Sequence, residues 1–101
     1  MRYTVIWEFR VAPGAEAAFM KHYGPDGDWA ALFRRDPSYV ETLLLADTSD
    51  PLRFLTIDRW TSHAAYEAFR SAYADAYEAL DEVCEGFTVH EAALGSYYAL
   101  P

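Results

Sequence analysis

The order in which this chain switches between a two-residue and a helical apolar period restricts its fold more than any single motif does. Tyr3, Val5, Trp7, Phe9 and Val11 alternate with Thr4, Ile6, Glu8 and Arg10, which is the period of a strand. Pro13-Gly14 ends that run, and Ala15, Ala18, Phe19, His22 and Tyr23 then fall at helical spacing until Gly24-Pro25. Asp28 is placed to cap a short second helix carrying Trp29, Leu32 and Phe33, closed by Asp36-Pro37. Residues 38–46 and 53–60 read as a hairpin across the turn-forming residues 47–51. Thr61 or Ser62 caps the longest helix, whose stripe is Tyr66, Phe69, Tyr73, Tyr77, Leu80 and Cys84, with Gly86 as its stop. Residues 88–93 supply a fourth strand, and 95–101 a short tail.

Strand, helix, strand, strand, helix, strand is the split βαβ order, so the expected fold is α+β and ferredoxin-like (βαββαβ). It has a four-stranded antiparallel sheet with helices on one face. A chain of 101 residues supports one core, so a single domain over residues 1–101 is expected. The strands carry apolar residues on both parities, Ile6 beside Val5 and Trp7, and Leu44 between Leu43 and Leu45. Helices cover only one sheet face, and a second copy is the simplest cover for the other, which predicts a homodimer. Three Trp, eight Tyr and six Phe exceed what so small an interior needs, so some of these rings should line a pocket or an interface.

Charge narrows the partners. Eight basic against sixteen acidic residues give a net charge of −8, and no Lys/Arg cluster is present. Nucleic acid and anionic membrane surfaces are therefore not expected. No apolar run approaches the ~20 residues of a membrane span, and the amino-terminal residues alternate as a strand does. With one cysteine, Cys84, an intrachain disulfide is ruled out, and a reducing, cytoplasmic setting is expected. His22, His63 and His90 share no ligand spacing, so no metal site is expected. Gly24-Pro25-Asp26-Gly27 fits no nucleotide-binding motif and reads as a turn.

Several segments resemble the antibiotic biosynthesis monooxygenase domain. They are Phe9-Arg10-Val11-Ala12-Pro13-Gly14 with Phe19 after it, and Trp29-Ala30-Ala31-Leu32-Phe33-Arg34-Arg35. The most specific is Phe54-Leu55-Thr56-Ile57-Asp58-Arg59-Trp60, followed by Ala65-Tyr66-Glu67-Ala68-Phe69. The resemblance implies a dimeric α+β barrel with one pocket per subunit between sheet and helices. Enzymes of that family oxygenate aromatic polyketides without metal or flavin, or degrade haem, and other members have no known activity. The haem-degrading pattern has a Trp and a ligand His where this chain has Phe69 and Ala79, so haem chemistry is not expected.

In the polyketide-oxidising members a Trp and a Tyr at the spacing of Trp60 and Tyr66 line the pocket. The same members carry an Asn and an Arg where this chain has Thr56 and Leu80. Thr56, Asp58 and Trp60 share a strand face. A carboxylate on a helix-covered face is partly buried and becomes a usable base, whereas one at an open strand end forms a salt bridge. The candidate catalytic residues are thus Asp58, Tyr66 and an inward-turned His63. Trp60, Trp7 and Trp29 are expected as flat apolar walls, with Thr56, Phe69 and Tyr73 also contacting substrate. Two readings stay open: a cofactor-independent monooxygenase acting on a small aromatic molecule, and a non-catalytic binding or structural dimer with the same pocket.

Overall fold

A computed structural model describes residues 2–101. Its elements are β1 (Tyr3–Val11), α1 (Glu16–Tyr23), α2 (Asp28–Phe33), β2 (Tyr39–Ala46), β3 (Arg53–Trp60), α3 (His63–Ala72), α4 (Ala74–Cys84) and β4 (Thr88–Tyr98). The four strands form one antiparallel sheet in the order β2-β3-β1-β4. This is the expected ferredoxin-like α+β fold.

Side-chain parity decides which face the helices cover. Tyr3, Val5, Phe9 and Val11 of β1 are buried, and the register sets Tyr3 beside Trp60, Phe9 beside Phe54 and Trp7 beside Thr56. Phe19 and Tyr23 from α1, Leu32 and Phe33 from α2, and Phe69 and Cys84 from α3 and α4 close over that face. The rings interlock at stacking and edge distances: Phe19 lies 4.3 Å from Tyr23, Trp60 4.8 Å from Phe69, and Phe33 5.3 Å from Trp60. On the opposite face, Ile6, Ile57 and Leu43 stand in one row and Leu55 and Leu45 in the next. Leu43 and Leu45 are 38% and 43% exposed there. Ion pairs flank this aliphatic strip, Arg53 with Glu8 at 2.6 Å and Arg59 with Glu41 at 3.0 Å.

Four details depart from the sequence reading. Gly27, not Asp28, precedes the first turn of α2, and a Cβ there would stand 2.5 Å from the His22 carbonyl oxygen. Asp28 instead pairs with the His22 ring at 3.1 Å. The long helix is two: Ser62 caps α3 by accepting from the Ala65 amide, and Tyr73 leaves helical geometry at φ −112°, ψ 25°. At that break Tyr73 stacks on Phe69 and donates its hydroxyl to the Arg35 carbonyl. Gly86 sits in a 3-10 turn, residues Glu85–Phe87, and is not left-handed. Finally, β4 runs to Tyr98. Gly95, at φ 147°, belongs to a bulge in which Ile6 pairs with Gly95 and Trp7 with Ala93, leaving Leu94 over. The supposed tail therefore supplies the outer hydrogen bonds of β1 from Tyr3 to Ile6.

Candidate active site

Between the covered face of the sheet and the helices lies a cavity of about 230 Å³. Its floor is set by the register. Val5 pairs with Asp58, and Asp58 pairs on its other side with Thr42 of β2; Trp7 pairs with Thr56 one step along. Its roof comes from residue pairs four apart, which share a helix face. Trp29 and Phe33 come from α2, Tyr66 and Arg70 from α3, and Tyr77 and Asp81 from α4. Glu91 of β4 also reaches the lining.

Asp58 is the pivotal group. The Thr42 hydroxyl donates to its Oδ1 at 2.6 Å, and the Tyr39 hydroxyl donates to Thr42 at 2.7 Å. Among the described residues nothing donates to Oδ2. Burial pushes the Asp58 pKa up to about 6, with the Thr42 hydrogen bond opposing the rise. Such a carboxyl is still mostly ionised at neutral pH and accepts a proton more readily than an ordinary aspartate.

Burial shifts the phenols in the same direction, with the opposite consequence for their role. Burial raises Tyr66 above the ordinary tyrosine range and pushes Tyr77 up to about 12. Arg70 Nη1 donates to the Tyr66 hydroxyl at 3.0 Å and so partly offsets the rise at Tyr66. Both phenols therefore stay protonated, which suits hydrogen-bond donors and not bases. The Arg70 guanidinium also lies 4.1 Å over the Tyr77 ring, a cation–π contact.

The structure divides the candidate residues into two groups. Asp58, Tyr66, Trp7, Trp29 and Thr56 meet on the cavity wall. Trp60, Phe69, Tyr73 and His63 do not. Trp60 and Phe69 are fully buried, and the Trp60 ring stands 5.3 Å behind that of Tyr66 as packing. Tyr73 is spent on the helix break described above. His63 is exposed at the start of α3, stacked on Tyr3 at 4.7 Å and 3.2 Å from Glu67, so its ring turns outward.

Arg70, Asp81, Thr42 and Glu91 line the cavity without having been singled out in the sequence. The signal for two of them was the spacing of four, Tyr66 to Arg70 and Tyr77 to Asp81, on the stripe already recognised. Leu80, at the expected arginine position, packs against the core, and the cavity's guanidinium comes from Arg70 instead. Among the described residues no group of three or more His, Cys, Asp or Glu can hold a metal ion, and no helix is long and apolar enough to cross a membrane.

A family model described as antibiotic biosynthesis monooxygenase matches residues 2–82. Among solved structures, a point variant of SnoaB, a cofactor-independent oxygenase from Streptomyces nogalater, is 22% identical with a TM-score of 0.81. That match covers 97% of this chain and 92% of the other. A protein from Bordetella bronchiseptica, described as a putative antibiotic biosynthesis monooxygenase, is 20% identical at TM-score 0.73, covering 99% and 98% of the two chains. Another so described, from Nitrosomonas europaea, is 16% identical at TM-score 0.74, covering 98% and 90%. At these identities the likeness establishes the fold. No curated protein matches.

Proposed function

This chain belongs to the antibiotic biosynthesis monooxygenase family, and from that premise we propose that it oxygenates an electron-rich aromatic small molecule without metal or flavin. The observation that carries the reading is Asp58: a half-buried carboxylate with a raised pKa and an oxygen that accepts no hydrogen bond among the described residues, on the wall of a cavity also lined by Trp7 and Trp29.

The chemistry needs only what these residues supply. A phenol or anthrone lies against the indoles and gives its acidic proton to Asp58 Oδ2. The resulting anion passes one electron to O₂, the two radicals combine to form a carbon–oxygen bond, and the peroxide anion takes back the proton held on Asp58. The hydroperoxide so formed loses water, which leaves one oxygen atom in a ketone or quinone and the other in H₂O. Tyr66, polarised by Arg70, donates to the oxygen on which charge develops. The enclosing rings keep water from that anion. The open aliphatic face of the sheet is covered in this reading by a second copy, giving a homodimer with one cavity per subunit.

An oxygen electrode tests the proposal with a panel of anthrones and hydroquinones, in chelator-treated buffer without NADH. Uptake of one O₂ per ketone or quinone formed is expected, with no H₂O₂ released and with one atom of labelled O₂ recovered in the product. Asp58→Asn should reduce turnover by ~10²–10⁴-fold, the usual contribution of a positioned base. A panel that binds tightly yet consumes no oxygen would assign the same cavity to a binding protein.

A further inference from the structure

The cavity adjoins a second depression whose wall is mostly acidic. Glu78, Asp81, Glu82 and Glu85 fall at helical spacing on one side of α4 and the turn after it, and Glu91 of β4 stands across from them. Asp81 and Glu91 belong to both depressions and so mark where the cavity opens. All five carboxylates are exposed, and none forms an ion pair among the described residues. Glu78 with Glu82, and Asp81 with Glu85, are like charges four apart on a helix, an arrangement that costs stability. Basic groups are sparse at both depressions. His90 lines the groove, and Arg70 lines the cavity with one nitrogen engaged by Tyr66 and its plane against Tyr77. Deeper in, Asp58 adds a further carboxylate to the cavity wall, its Oδ1 accepting from Thr42 and its Oδ2 without a donor among the described residues.

We propose that the cavity takes a phenolic aromatic bearing a protonated amine, its ring between Trp7 and Trp29 and its ammonium at Asp81 and Glu91. This rests on the oxygenase reading for the role of the ring and adds the charge of the substrate. A low-dielectric cleft with one sign of charge at its mouth concentrates ligands of opposite sign and repels the rest. An amine arriving there neutralises two carboxylates that have no cationic partner among the described residues, Glu91 accepting only from the Thr88 hydroxyl at 2.9 Å. A carboxylated aromatic meets the acidic mouth first and Asp58 beyond it.

Three hydroxynaphthalenes, identical except for an aminomethyl, a methyl or a carboxylate group, provide the test. Each is titrated anaerobically into the protein by quenching of indole fluorescence, at low and high salt. The aminomethyl compound should bind about tenfold tighter than the methyl compound and the carboxylate weakest, with the preference shrinking as salt screens exposed charge. The double variant Asp81→Asn/Glu91→Gln should bring the ratio of amine to methyl affinity close to one and remove its dependence on salt. Equal affinity for amine and methyl, tightest binding of the carboxylate, or no binding of any of the three overturns the proposal. Oxygen uptake on the same compounds separates the two readings. Uptake without an amine preference defeats this proposal alone, and an amine preference without uptake defeats the oxygenase reading alone.

Discussion

The Thr42 hydroxyl donates to Asp58 Oδ1 across 2.6 Å, from a neighbouring strand in the same cross-strand row. That bond favours the charged carboxylate, whereas burial disfavours it, and burial wins, so the pKa stands at about 6. It also occupies one carboxylate oxygen and leaves the other for a substrate.

Removing the donor should therefore move the acid limb of activity. If Asp58 is the base, kcat/KM falls as pH drops through about 6 and the carboxylate takes up its proton. Thr42→Val keeps the shape and deletes the hydroxyl, so the pKa rises further and the limb moves to higher pH. A pH–rate profile of both proteins reads this directly. An unmoved limb would show that another group sets the dependence.

The same burial predicts a stability gain where activity is lost. The folded state holds the Asp58 proton up to about pH 6, whereas an unfolded chain releases it near 3.8. The unfolded state thus binds fewer protons between those values, and this group's contribution makes stability fall as pH rises through that window. About two pKa units correspond to roughly 3 kcal/mol at neutral pH, at one unit per ~1.4 kcal/mol. Asp58→Asn still accepts from Thr42 but carries no charge. Its Tm should exceed that of the parent at pH 7 and converge with it near pH 4, measured by thermal melts across the range.

Trp60 is predicted to matter as packing. Its side chain is fully buried, and its indole nitrogen has no hydrogen-bond partner among the described residues. Trp60→Phe loses volume but also removes a buried N–H that has lost its water, and these effects oppose each other. Turnover within about twofold of the parent is expected, because Tyr66 keeps a ring behind it; Trp60→Ala, by contrast, should cost ~3–5 kcal/mol in a denaturant melt. A loss of turnover in Trp60→Phe with stability intact would place the indole in the chemistry after all.

Parity carried most of what the sequence revealed. Asp58 could be found because it lies two residues before Trp60 on a strand whose covered face was evident from Phe54, Thr56 and Trp60. Trp7 was legible for the same reason. Depth was not legible: Trp60, Phe69 and Tyr73 share the periodicity of the lining residues, and only three-dimensional packing separates a wall from what stands behind it. Nor could Thr42 be picked out, because its relation to Asp58 depends on register between strands, which a bulge between Tyr39 and Glu41 shifts. Gly95 misled outright. A glycine past an alternating run reads as a stop, but here its φ of 147° lets the strand bulge and continue to Tyr98.

The open face of the sheet leads to the last expectation, that the working unit is a homodimer. Ile6, Ile57 and Leu43 form one cross-strand row and Leu55 and Leu45 the next, on the face the helices leave bare. With Leu43 and Leu45 about two-fifths exposed, the strip is a contiguous apolar surface of the kind that soluble monomers keep small. The ion pairs Arg53–Glu8 and Arg59–Glu41 border it, so a partner can bury the aliphatic rows without stranding an unpaired charge. A second copy would then cover more than ~2,000 Å², the obligate range. Light scattering after gel filtration should give twice 11.5 kDa at micromolar concentration, and Tm should rise with protein concentration. Ile57→Lys, in the middle of the first row, should give a monomer with a lowered Tm, since each copy would have to bury an unpaired ammonium in the aliphatic contact. A parent protein that stays a stable monomer at micromolar concentration would mean that this face is tolerated bare or is covered by a different partner.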